Sequence, residues 1–363
     1  MKVGIAVRRW SERGGLEGNV LELARYLSGR GHEVHIVAHR IEADVPGIVT
    51  HRVEDVPTWP EWHRIQRFSS AAARALVRLR SDVTFTSSAV AGPDVVRLEG
   101  GIATEYWTAY PRARWDLRER AVARIDKARL RESKAILVLS EATARTLTER
   151  HAIEPSRIHI VRNGIDLDHF VPLTQSLRSR STLRPCPIVA FLGSGFKRKG
   201  LAPLIEAMRG MTARLVVAGR DRRAPHYIKR ARHSGVDLEY LGFVRDVRDV
   251  LERADVIAAP SLYDPFGLVV LEGLAAGRPV VTTRATGAHE ISPFADLVVD
   301  EPRPALLREA LERAFVHAAT PHTAECARAA AMLWPREKTY AQVEEVLLSM
   351  SARSGIRPEP CRT

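Results

Sequence analysis

Short apolar runs alternate with amphipathic stretches along this chain, and the alternation runs twice. Residues 3–7 are an apolar run, followed by a Gly-containing turn and an amphipathic segment at 17–27. Residues 33–38, 134–139 and 157–161 read as further strands. Parallel strands need crossover helices, so this pattern predicts a parallel sheet covered on both faces. Between 171 and 187 the pattern lapses into a polar, Pro-containing, aperiodic stretch that reads as a linker. It then restarts, with strands expected at 188–192, 214–218, 238–241, 256–259, 279–283 and 297–299. Helices are expected at 201–208, 247–253, 268–276, 305–318 and 337–350. A length of 363 residues exceeds the roughly 250–300 at which one core stops growing. Two doubly wound α/β domains are therefore expected, 1–172 and 173–335, with a helix at 336–350 packing back onto the first. In such sheets ligands bind outside the carboxyl ends of the strands, so two facing domains would make a cleft.

Charge narrows the partners. Lys and Arg total 55 against 43 Asp and Glu, a formal net of +12. That excess suits a polyanion such as nucleic acid, an anionic membrane or a phosphorylated substrate; an Arg-rich solvated surface would give the same number. No RRM, HTH or KH pattern is present, which argues against a nucleic-acid partner. No apolar run approaches the roughly 20 residues that cross a bilayer. The start lacks a signal-peptide pattern, and the 3 Cys form no CxxC, so a reducing cytoplasm is expected. His32, His35 and His39 surround a strand at spacings that match no zinc motif.

Four segments carry candidate chemistry. Gly14 and Gly15 lie between the first strand and helix, where backbone amides can approach a phosphate or sugar, although a plain Gly-Gly turn explains them as well. Gly193-Ser194-Gly195-Phe196-Lys197-Arg198-Lys199-Gly200 joins a strand to a helix. Helix starts favour acids, so three cations there suit an anion such as a diphosphate, with a solvated basic turn as the plain alternative. It is not a Walker A loop, because Leu201 stands where Lys is required. In Asp264-Pro265-Phe266-Gly267-Leu268-Val269-Val270-Leu271-Glu272, a loop acid precedes a helix whose second turn carries another. Two carboxylates lining one cleft grip sugar hydroxyls, and the free amides near Gly267 can hold an anion. A dipole-balancing Asp and an incidental Glu remain the plain alternative. Finally, residues 92–115 hold Asp94, Glu99, Tyr106 and Trp107, followed by a basic run that includes Arg118, Arg120 and Arg124. Aromatics beside cations suit an anionic membrane surface; a helix with a solvated basic face accounts for them equally.

Taken in order, these segments resemble the family 4 retaining glycosyltransferases of the GT-B fold. The resemblance is carried by RGGLEGNVLELARYLSGRGHEVHIV, VLSEATARTLTERHAIEPSRIHIVRNGIDLDHF, GSGFKRKG, LVVAGRD and LGFVRDVRDVLERADVIAAPSLYDPFGLVVLEGLAAGRPVVTT, nearly the whole chain. Within the family, GSGFKRKG followed by VAGRD is most similar to the branch that adds glucose to lipopolysaccharide core heptose. The resemblance implies that Lys199, helped by Arg198, holds the donor diphosphate and that Glu272 bonds the ribose. Asp264 would contact the transferred sugar, beside the amides of Phe266, Gly267 and Leu268. Gly14 and Gly15 would let donor phosphate and acceptor approach, Gly193 and Ser194 would lie on the donor, and the backbone of Phe243 and Val244 would meet the base. Two positions depart from the family. Asp264 stands for the usual Glu, one methylene shorter, and Ser194 for the usual Arg. In the first domain Glu99, Asp94 or neither serves as the acid.

The implied reaction moves a hexose, best matched by glucose from UDP-glucose, to a hydroxyl of a lipid-linked saccharide with retention of anomeric configuration. No cofactor and no metal are expected. The enzyme would sit peripherally at the inner face of a bacterial cytoplasmic membrane. Two rivals are a basic nucleic-acid-binding protein, which the acidic pair Asp264 and Glu272 would repel, and a sugar-nucleotide epimerase, which would release no nucleoside diphosphate.

Overall fold

A computed structural model of the chain describes residues 1–12, 15–54, 56–170 and 185–354. The described residues divide into two compact units, Met1–Val161 with the C-terminal segment from Thr339, and Arg162–Lys338.

The first unit is built on a seven-stranded sheet in the order β3-β2-β1-β4-β5-β6-β7, every pair parallel. The strands are β1 (Lys2–Trp10), β2 (Glu33–Ile41), β3 (Ile48–Arg52), β4 (Val83–Thr86), β5 (Val95–Arg97), β6 (Ala135–Val138) and β7 (Ile158–Ile160). Its helices are α1 (Gly15–Gly29), α2 (Glu61–Leu79), α3 (Ala103–Ala109), α4 (Leu117–Glu132) and α5 (Glu141–His151). Strand periodicity sorts the side chains. Val3, Ile5 and Val7 join Leu21, Leu23 and Leu27 of α1, whereas Ala6 joins Phe68, Ala72 and Leu76 of α2. Farther along the sheet, Val96, Ile136 and Val138 pack with Leu130 of α4 and Leu147 of α5.

The second unit carries a six-stranded parallel sheet in the order β10-β9-β8-β11-β12-β13. Its strands are β8 (Ile188–Leu192), β9 (Arg214–Ala218), β10 (Asp237–Gly242), β11 (Val256–Ala259), β12 (Val280–Thr283) and β13 (Val298–Val299). The helices are α6 (Leu201–Ala207), α7 (Ala224–His233), α8 (Arg248–Arg253), α9 (Leu268–Ala275), α10 (Pro304–Ala319) and α11 (Pro321–Met332). The chain order runs outward from β8 to β9 and β10 on one side and returns to β11 on the other. The carboxyl ends of β8 and β11 therefore flank the point where the winding reverses, the place where such sheets take ligands.

The last helix, α12 (Arg336–Ser354), starts in the second unit and finishes on the first. Tyr340, Val343, Val346, Leu347 and Met350 share the core of β1 and α1. Glu344 clamps it, accepting from Tyr26 Oη at 3.1 Å and pairing with His32 Nε2 at 2.7 Å. The units divide at Val161/Arg162 rather than at 172/173. Residues from Arg162 onward are tied to the second unit: the Arg328 guanidinium donates to the carbonyls of Leu167 (3.1 Å) and Phe170, and Ile165 bridges to Pro335. The expected linker at 171–187 lies, up to residue 184, outside the described residues.

Candidate active site

The GSGFKRKG loop leaves β8 and is fixed from both sides. The Gly193 amide donates to the Ala218 carbonyl at 2.9 Å, and the Arg220 amide donates to Ser194 Oγ at 3.1 Å. Asp221, next along, accepts from the Phe196 amide at 2.7 Å. Phe196 then drops into the core against Phe191 and Tyr227. With the loop pinned at Phe196, the following cations project from a defined backbone. Gly200 caps α6 with φ +80°, and a Cβ there would fall 1.9 Å from the Pro260 carbonyl oxygen, so only glycine lets the loop close on the segment after β11.

That segment brings the acid to the base. Lys199 Nζ donates to Asp264 Oδ2, and Arg198 Nη1 lies 3.7 Å from the same oxygen while donating to the Tyr263 carbonyl at 3.0 Å. Asp264 is buried and its backbone is locked in a parallel bridge to Thr286. Its amide donates to the Ala285 carbonyl at 2.9 Å, and its carbonyl accepts from the Gly287 amide at 3.0 Å. This bridge answers the shortness of Asp264: the loop is drawn against the end of β12, and the carboxylate reaches Lys199 without the extra methylene. Gly267 then turns the chain into α9 at φ +85°, where a Cβ would sit 2.3 Å from Thr286 Cγ2. The amides of Phe266, Gly267 and Leu268 donate to no acceptor among the described residues, as expected for a helix start.

Glu272 lies on the second turn of α9, half-buried. Burial pushes its carboxyl up to about 7, against the downward pull of Lys199. Phe243, just past β10, is 60% exposed, with the Arg220 guanidinium 4.3 Å from its ring centroid; Val244 follows, half-buried. Lys199, Arg198, Asp264, Phe266, Gly267 and Leu268 thus gather with Gly193 and Ser194 at the carboxyl ends of β8 and β11. Three positions were not legible as site residues: Asp221, Arg220 and Thr286. Each acts by holding a neighbour, and no spacing marks such a role.

The candidates of the first unit separate. Glu99 follows the carboxyl end of β5 and is paired with the buried Arg97 at 3.5 Å. Asp94 lies at the opposite, amino end of β5, bonded to Thr84 Oγ1 at 2.7 Å and to Lys134 at 2.8 Å. Burial pushes its carboxyl up, but the Lys134 and Thr84 bonds outweigh that and hold it below the usual range. It ties the amino end of β5 to Thr84 and Lys134, whereas Glu99 stands at the other end of the strand. Gly15 opens α1, while Gly14 lies outside the described residues. Tyr106 and Trp107 are on α3; Arg118, Arg120 and Arg124 are on α4. Arg118 is spent on Glu119 and on Glu61, the latter at 3.4 Å. Among the described residues no group of three or more His, Cys, Asp or Glu is placed to hold a metal ion, and no helix is long and apolar enough to cross a membrane.

Cations, open amides and acids gathered at one sheet end of the second unit, in a chain whose two units are each built on a parallel α/β sheet, fit a glycosyltransferase of the GT-B class. Comparison with known proteins agrees. Residues 13–169 match the family described as Glycosyltransferase Family 4, and residues 186–316 match Glycosyl transferases group 1. The chain belongs to the GT-B glycosyltransferases of these two paired families. A probable transglycosylase of Burkholderia thailandensis is 29% identical over 323 residues, 86% of each chain. Lipopolysaccharide glucosyltransferase WaaG of Escherichia coli is 25% identical over 315 residues, 80% of this chain and 83% of WaaG. A crystal structure of WaaG superposes with a TM-score of 0.80 over 95% of this chain and 99% of that one, at 22% identity. Anabaena HepE in complex with UDP-glucose superposes with a TM-score of 0.70 over 96% and 100%, at 17% identity.

Proposed function

We propose that this glycosyltransferase moves a hexose from a nucleoside-diphosphate sugar to a hydroxyl of a lipid-linked saccharide, retaining anomeric configuration, with UDP-glucose as the preferred donor. One observation carries the reading: Lys199 and Arg198 converge on Asp264 beside three open amides at the carboxyl ends of β8 and β11. A donor diphosphate entering there meets two cations and a helix start, and the sugar's hydroxyls meet Asp264. The bond from the anomeric carbon to the distal phosphate oxygen breaks, and the acceptor oxygen bonds to that carbon on the same face. The acceptor's proton passes to the departing phosphate oxygen. Negative charge grows on that phosphate during the step, so Lys199, Arg198 and the amides stabilise the transition state more than the bound donor. They supply the positive charge that a divalent ion supplies in other transferases, and no resident metal is part of this reading. The choice of UDP-glucose is supported by likeness to WaaG, a lipopolysaccharide glucosyltransferase, and to HepE, which is described with UDP-glucose.

The acceptor side is read as membrane-facing. Trp115 (71% exposed) and Leu117 (58%) stand beside Arg112, Arg114, Arg120 and Arg124, a combination that suits an anionic lipid surface. Salt-sensitive binding to anionic vesicles is expected, and equal binding to neutral vesicles would overturn this part. The donor is tested by a panel of nucleotide sugars read by thermal stabilisation and by nucleoside-diphosphate release. A response dominated by UDP-glucose is expected; no stabilisation by any nucleotide sugar would overturn the reading.

A further inference from the structure

A cavity lies on the flank of the first unit, lined by α3, α4 and the end of α5, with a volume of about 750 Å³. That is within the range that takes a small-molecule ligand. Its floor is apolar: Ile102, Leu130 and Ile153 line it and belong to the buried cluster on this face of the sheet. Its rim is cationic. Arg120, Arg124 and Lys127 follow one another at helical spacing along one face of α4, and Arg150 faces them from the last turn of α5. None of these four has an ion-pair partner among the described residues.

Arg150 suits a helix carboxyl end. The α4 row has no such excuse: like charges three and four residues apart repel by a few tenths of a kcal/mol per pair. The carboxylate in the lining, Asp126, does not offset them. It is buried and already bound to Arg129 at 2.7 Å and to the Ala103 amide at 2.9 Å. Trp107 also lines the cavity, and its shielded indole N–H meets no acceptor among the described residues.

An apolar floor under four uncompensated cations matches a molecule with a hydrocarbon part and a phosphate. A bare anion leaves the floor wet, and a neutral lipid leaves the cations unpaired. We propose that this cavity binds one molecule of a phosphate-bearing amphiphile, its hydrocarbon against Ile102, Leu130 and Ile153 and its phosphate on Arg120, Arg124, Lys127 and Arg150. Arginine holds phosphate through paired N–H donors, which fixes the head while the chain seats below. The site shares Arg120 and Arg124 with the membrane-docking reading but needs no bilayer, so the two can fail separately.

The test is calorimetric titration of the full chain with dihexanoyl phosphatidic acid below its critical micelle concentration. Saturable 1:1 binding is expected, weakened about tenfold or more by the exposed double substitution Arg124→Ala/Lys127→Ala, whose folding is checked by circular dichroism. Inorganic phosphate should bind about tenfold more weakly or worse, and a maltoside of equal chain length should not bind. A chain-length series on the unaltered protein reads the apolar half independently: dibutyryl phosphatidic acid should bind about fivefold more weakly or worse than the dihexanoyl form. Equal affinity of the double variant, equal affinity for inorganic phosphate, indifference to chain length, or no saturable binding would each overturn the proposal.

Discussion

Replacing Glu272 with Gln isolates the effect of a carboxyl held far from its usual range. Burial on α9 pushes Glu272 from the ordinary 4.5 to about 7. The folded protein then keeps a proton through that window which the unfolded chain has released. Stability must therefore fall as pH rises from about 4.5 through 7, and the loss is complete above it. The full shift corresponds to a ceiling of ~3 kcal/mol at ~1.4 kcal/mol per unit. Glu272 retains some solvent contact, so ~1–2 kcal/mol is the expected share. For a unit of this size that is roughly 3–6 °C in melting temperature. Thermal melts of both proteins at pH 5.5 and 8.5, read on the transition that a nucleoside diphosphate shifts, give the comparison. The variant's advantage over the parent should grow by somewhat more than half that amount from the lower pH to the higher, since part of the loss is already complete at pH 5.5. An offset that stays constant across the range would refute the assignment.

Three further outcomes follow from named contacts. Gly267→Ala places a methyl 2.3 Å from Thr286 Cγ2 at φ +85°, and should cost ~2 kcal/mol or more of stability and most donor binding, seen by denaturant titration and calorimetry. Glu344→Gln loosens the clamp of α12 on the first unit. Burial pushes the Glu344 carboxyl up, but bonds from His32 and Tyr26 hold it below its usual value. Its contribution is therefore present above the unfolded value near 4.5 and lost as pH falls through the folded one, so the variant should be destabilised at pH 7 and converge with the parent in acid melts. His51 is held below its usual value by burial and by His35 beside it. The unfolded chain takes up the proton first, so acidification through about pH 6.5 should destabilise the first unit, and His51→Gln should blunt that loss in pH-dependent melts.

Where apolar runs are long and flanked by turn residues, as at 188–192 and 214–218, the sequence alone marks the strands. It fails at β3, β4 and β5, which hold only five, four and three residues. Ile48-Val-Thr-His-Arg sits at the sheet edge, with polar and half-exposed positions that break no pattern and make none. Helix α2 was within reach, because Ile65, Phe68, Ala72 and Leu76 recur at helical spacing. Lys199 and Asp264 were each legible as candidates because both loops carry strong local signals, cations at one helix start and an acid before another; that the two side chains pair was not. The bracing by Asp221 and Thr286 was not, since it depends on strands that come together only across the sheet. Asp94 shows the converse: nothing in its sequence neighbours tells that it lies at the amino end of β5 while Glu99 follows the carboxyl end, and only the strand direction reveals it.

The account rests on Lys199 gripping the donor's diphosphate. Calorimetric titration of the parent and of Lys199→Ala with UDP-glucose tests this directly. Loss of one charge-assisted contact, worth ~1.5–3 kcal/mol, predicts affinity weakened roughly 10- to 100-fold, with a similar loss for UDP and little for uridine. Equal UDP-glucose affinity in the two proteins would contradict it.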